Sequence, residues 1–166
     1  MAPLRHWRME INQLFGLPAH PILVHAAVVL VPLAVIGLFL IALLPSLRPK
    51  YSILVAVVAF VATGSVGLAQ GSGEALLESV KRTQLVVDHA QMGEDLLPWA
   101  FGVLLAAAFL ALVEVMRRRD KPLNLPAKAT SIVVVVFSLL VSAGAIYTVI
   151  KIGHSGAKAT WNSVKP

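Results

Sequence analysis

Four apolar stretches, each about twenty residues long or more, alternate along the chain with short polar and charged joints: 21–44, 51–69, 98–116 and 130–152. Each is long enough to cross a hydrocarbon layer of about 30 Å as a helix rising 1.5 Å per residue. A backbone in lipid must satisfy its N–H and C=O groups internally, so helix is the only conformation such isolated runs can adopt. The pattern therefore predicts an all-α integral membrane four-helix bundle, a single domain over 1–166. One stretch departs from it. Over 84–97 the period becomes helical and two-sided, with Gln84, Asp88, Gln91 and Asp95 on one face and Leu85, Val86, His89, Met92 and Leu96 on the other. This amphipathic segment either extends the third span outward or lies on the membrane surface.

Local signals refine the spans. Pro21 suits the first helical position, which makes His20 the expected cap and sets His25 just over one turn inside. Pro32 is expected to kink the first helix and free the Val28 carbonyl. In the second span Ala59, Thr63, Gly67 and Gly71 recur every four residues, a small-residue stripe for close helix approach or for a flat ligand. Gly71-Ser72-Gly73 reads as a turn, and Gly153 to Trp161 as a C-terminal tail. Glu114 and Arg118 are spaced to pair at i,i+4.

Composition agrees with lipid as the solvent. The chain is 58% hydrophobic and only 13% charged, against roughly 25% charged in ordinary soluble domains, and its mean hydropathy is +0.83. No cysteine is present, which removes disulfides, thiolate metal sites and covalently attached haem. The net charge of +6 is placed beside the apolar runs, so it reads as topology-setting charge and not as a nucleic-acid patch.

An even number of spans puts both termini on one side. Seven basic residues lie on each side. Arg5, Arg8, Lys81, Arg82, Lys151, Lys158 and Lys165 are spread more thinly on the terminal side, whereas Arg48, Lys50, Arg117, Arg118, Arg119, Lys121 and Lys128 crowd two short loops against helix ends on the other. By the positive-inside effect those loops face the cytoplasm and both termini face the periplasm of a bacterial inner membrane. Trp7, Trp99 and Trp161 then form an outer interfacial belt. The same topology brings His20, His25, His89 and His154 to one membrane boundary. His25 falls at that boundary, His20 roughly 7 Å above it, and His89 about 12 Å above if its helix is straight. A straight third helix favours His20 with His89; a bent one brings His89 towards His25.

Ionisable groups facing a membrane bundle are expected to be functional. Histidines on facing helices are the protein-side requirement of b-type haem, and a bundle supplies the apolar slot. His25 and His89 are the preferred ligands, His20 the alternate, and Met92 a possible substitute. The same His25 and His89 are the candidates for a copper or zinc ion. His6 and His154 read as interfacial residues. No hydrolase is assembled from Ser72, Asp88 and His89, since Asp88 lies on the opposite face from His89. Gly71-Ser72-Gly73 lacks the lysine and the strand–helix context of a phosphate loop. No carboxylate lies mid-span to drive a proton-coupled transporter.

At His20-Pro21-x-x-Val24-His25 the chain resembles an uncharacterised bacterial family, a predicted four-helix membrane domain of unknown function whose hallmark is this entry to the first helix. The resemblance extends to the single histidine before the third helix, His89, and to the ending Ile152-Gly153-His154-Ser155-Gly156-Ala157-Lys158-Ala159-Thr160-Trp161. Members often carry Asp where this chain has His154 and Val where it has Thr160, so His154 is not an obligatory ligand. The resemblance implies the architecture and the three-histidine set His20, His25 and His89. Some members look associated with redox proteins, which points towards electron transfer. The expectation is a haem-b-binding or redox-associated subunit without independent catalytic activity, working with a periplasmic redox protein or other membrane subunits. The alternatives are a non-catalytic anchor or assembly subunit, and a copper or zinc site.

Overall fold

The apolar runs become helices in a computed structural model that describes residues 13–14, 16–121 and 126–161. His6, Trp7 and the rest of the N-terminal stretch read from sequence lie outside the described residues. The first described elements are two strands of two residues, β1 (Gln13–Leu14) and β2 (Leu17–Pro18), paired antiparallel across Gly16. Gly16 takes φ +76°, the left-handed region that a residue with a side chain enters only at a cost.

Helix α1 (Ala19–Leu43) follows directly. It starts two residues before the predicted Pro21, because Pro18 closes the small hairpin at φ −53°, ψ 129° and takes the cap position itself. His20 is therefore inside the first helical turn, not its cap. A short 3-10 turn (Pro45–Leu47) leads to α2 (Arg48–Leu77), with Pro49 in its first turn, where a missing N–H costs nothing. Arg48 turns back to donate from Nε to the Ile41 carbonyl (2.8 Å) and from Nη2 to the Ala42 carbonyl (2.9 Å). A cation thus caps the negative end of α1.

Helix α3 (Gln84–Glu94) opens on Thr83, whose hydroxyl accepts from the Val86 N–H. It passes through Asp95, which keeps right-handed helical angles (φ −67°, ψ −19°), into α4 (Leu96–Arg118). The amphipathic segment therefore extends the third span. Helix α5 (Ala127–Trp161) completes the bundle. Both α2 and α5 run past the predicted ends at Ala69 and Ile152. The expected turn at Gly71-Ser72-Gly73 and the expected tail after Gly153 are helical, because each of these segments packs against another helix through a histidine.

Four helical stretches are long and apolar enough to cross a membrane. Their outward faces carry Val29, Leu33, Ile36, Phe60, Leu105, Val133 and Leu140, each about half exposed or more, a surface suited to lipid and not to water. Inside, the core is built from small residues: Ala27, Ala34, Ala59, Ala62, Ala100, Ala107 and Ala145 around Val31, Leu38, Val66, Val103 and Leu110. Lipid tails are as apolar as leucine, so close packing and not hydrophobicity holds such helices together. Gly37 lets Val55 of α2 lie against α1, and a Cβ there would come within 2.9 Å of it. Gly102 does the same for Val141 of α5, and the Trp99 ring lies on Gly144. Thr63 donates to the carbonyls of Ala59 (2.8 Å) and Ala100 (3.1 Å), tying α2 to α4. Of the small-residue stripe, Ala59 and Thr63 are buried, whereas a Cβ on Gly67 or Gly71 would meet no neighbour. The stripe packs at one end only.

At the end where α4 stops and α2 begins, Arg117 grips the buried Glu114 carboxylate with two bonds (2.8 and 3.1 Å) and Arg118 adds a third (3.1 Å). The predicted i,i+4 pair is present within this larger cluster. Helix α2 is about 45 Å long, and α5 exceeds it, against a hydrocarbon thickness of about 30 Å. With the charged ends of α2 and α4 at the arginine end, the surplus length stands at the opposite, histidine end.

Candidate functional site

The surplus ends of α2 and α5 and the polar helix α3 come together around two imidazoles. His20, in the first turn of α1, has its Nδ1 2.9 Å from the Ala69 carbonyl of α2 and 3.4 Å from Ser72 Oγ. His89, on α3, has its Nδ1 2.9 Å from Ser155 Oγ of α5. The two ring centres are 6.4 Å apart with their planes at 77°. Both rings are half-buried.

The hydrogen bonds decide the tautomers. A backbone carbonyl can only accept, so His20 must carry its proton on Nδ1. Ser155 Oγ is also 2.9 Å from the Ile152 carbonyl; with its one proton on that carbonyl, its oxygen accepts and His89 carries its proton on Nδ1. Among the described residues neither Nε2 has a hydrogen-bond partner, so each ring presents Nε2 as its uncommitted nitrogen there. Holding Nδ1–H on an oxygen acceptor is the arrangement that orients an imidazole to bind through Nε2.

Two glycines make room. A Cβ on Gly73 would lie 2.9 Å from His20 Cε1, and one on Gly156 would lie 3.0 Å from His89 Cε1. Each imidazole thus rests on a Ser-Gly step near the end of a long helix, Ser72-Gly73 on α2 and Ser155-Gly156 on α5. The α1–α2 hairpin and the α3–α4–α5 unit are built alike: histidine near the start, Ser-Gly near the end, and a glycine–valine contact between (Gly37–Val55, Gly102–Val141). The site forms where the two units meet. Gln70 adds a tie, donating to the Gly93 carbonyl (2.8 Å).

His25 is placed differently from His20 and His89. It is exposed on the outer face of α1, with its Nδ1 on the Pro21 carbonyl one turn back in the same helix, and it does not join the pair. His154 is exposed beside Ser155. Met92 is half-buried on α3. Among the described residues no three His, Cys, Asp or Glu side chains gather as a metal-binding group. Sequence reasoning named Ser72, Gly73, Ser155 and Gly156 only as turn, tail or family-ending residues and gave them no part in the site. Their signal was the Ser-Gly step occurring twice, each time beyond an apolar run.

Burial holds the His89 ring, which stands on the polar α3 outside the apolar span, below the usual histidine range. Neighbouring His20 pushes it further the same way, and the Ile152 carbonyl partly opposes both. The neutral form that can offer a lone pair is thereby favoured.

The known-protein comparisons agree with this architecture. A family described as predicted membrane protein, DUF2231, matches residues 16–164. The chain belongs to that family. The match runs from the small hairpin to beyond the end of α5, so both halves of the histidine pair lie inside the family domain. No curated protein and no solved structure matches the chain.

Proposed function

We propose that this member of the family is a haem-b-binding, redox-associated electron-transfer subunit, in which His20 and His89 would hold the haem. The observation that carries the reading is the pair of Nδ1-anchored imidazoles whose Nε2 atoms have no partner among the described residues. The ring centres lie 6.4 Å apart, close enough for both imidazoles to serve one bound group through Nε2. The number of ligands favours haem over a bare ion. Zinc takes four ligands in structural sites and at least three from protein in catalytic ones, whereas haem brings four nitrogens of its own and needs only the axial positions filled. Such a group would supply one-electron exchange. The chain's own residues would hold it through Nε2 and orient both rings through Nδ1.

On this reading the site stands at the periplasmic face of a bacterial inner membrane, where a periplasmic redox protein or another membrane subunit can reach it. The full chain, purified in mild detergent from haem-replete cells, is expected to show a Soret band and a reduced-minus-oxidised difference spectrum. His20→Ala and His89→Ala should each abolish them, while His25→Ala leaves them intact. Elemental analysis of the same samples separates haem iron from copper or zinc. A colourless, metal-free preparation would overturn the reading and leave the anchor or assembly role.

A further inference from the structure

The opposite end of the bundle carries a second feature, independent of the histidine pair. Helices α4 and α5 touch closely at Gly102–Val141 and at Trp99–Gly144. One turn further towards the arginine end they part around an open groove of about 530 Å³, lined chiefly by Leu105, Phe109, Ala129, Thr130, Val133 and Phe137. From Ala129 to Phe137 the groove extends about 12 Å along α5, close to one leaflet's share of a hydrocarbon layer of about 30 Å. Its walls are apolar apart from Thr130, at the end near the start of α5.

Charge collects at that same end. Arg117 and Arg118 are engaged by Glu114. Arg119, Lys121 and Lys128 are exposed and have no ion-pair partner among the described residues. Lys128 directly precedes Ala129 of the groove wall. The acid in this stretch, Asp120, offsets one of the three charges. An apolar trough one leaflet deep, opening to lipid and topped by a net excess of cations among the described residues, matches the two parts of one kind of molecule.

We propose that this groove binds an acyl chain of an anionic phospholipid whose phosphate headgroup rests among Arg119, Lys121 and Lys128. The glycine contacts hold α4 and α5 together on the far side, so the groove is a fixed feature that a chain fills, and the cations select the headgroup.

Native mass spectrometry of the full chain, titrated in detergent with phosphatidylglycerol or phosphatidylcholine, tests this. Phosphatidylglycerol should bind in preference. The double variant Lys121→Gln, Lys128→Gln should lose roughly five-fold in phosphatidylglycerol affinity per charge removed, with phosphatidylcholine unchanged. Ala129→Phe, at an exposed wall position, should weaken both lipids by filling the groove. Equal binding of the two lipids by the unaltered chain overturns the headgroup selection. Binding that follows the charges but ignores Ala129→Phe overturns the groove in favour of surface attraction alone.

Discussion

An alanine at Gly73 or Gly156 tests the histidine site with a single methyl group. The added Cβ would lie 2.9 Å from His20 Cε1 or 3.0 Å from His89 Cε1, so the ring must shift and its Nδ1 bond is disturbed. Each substitution should cost about 1–3 kcal/mol as overpacking, read by denaturant titration in detergent, and on the proposed function should lower haem content with it. The tautomers can be checked without any cofactor. With ¹⁵N-labelled histidine, His20 and His89 should both show a protonated Nδ1 and a bare Nε2; an Nε2–H signal from either would break the assignment. The depressed pKa of His89 gives a pH dependence whose sign is fixed. Its folded value lies below the unfolded value of about 6.5, so the unfolded chain binds more protons and stability falls as pH drops below that point. A denaturation series through this range should show the loss, and His89→Gln should flatten it. The choice between His20 and His25 was not legible from residues alone. It turns on the rotation of α1 about its axis, which depends on packing against Ala69 and Ser72, some fifty residues away in sequence.

Elements were easier to read than their ends. The four spans were visible because apolar runs of that length have no other stable conformation in lipid. The ends of α2 and α5 were obscured by Gly71, Gly73, Gly153 and Gly156, residues that usually punctuate helices. Here two of these glycines are helical because an imidazole occupies the space their side chains would fill. Arg48 shows the same dependence on tertiary context. Its position after Pro45-Ser46-Leu47 suggested only topology, yet its guanidinium closes the end of α1. Arg48→Met keeps the length and removes both bonds. It should destabilise the bundle by about 1.5–3 kcal/mol, the range for hydrogen bonds from a charged group, measured in the same titration.

For the whole molecule, the absence of natural cysteine makes orientation directly testable. Single replacements Ser79→Cys at the histidine end and Lys121→Cys at the arginine end can be probed in intact cells with a membrane-impermeant maleimide. Labelling of position 79 but not 121 is expected from the positive-inside effect; the reverse pattern would place the histidine pair in the cytoplasm and remove a periplasmic partner from consideration. The like construction of the two units carries a consequence for biogenesis. The α1–α2 hairpin contains everything that fixes His20, and the α3–α4–α5 unit contains everything that fixes His89. Each unit carries one imidazole of the pair, so neither half forms the site without the other. Cofactor capture would then have to wait until both halves have been inserted and have met, so a loaded site would mark a chain whose assembly is complete.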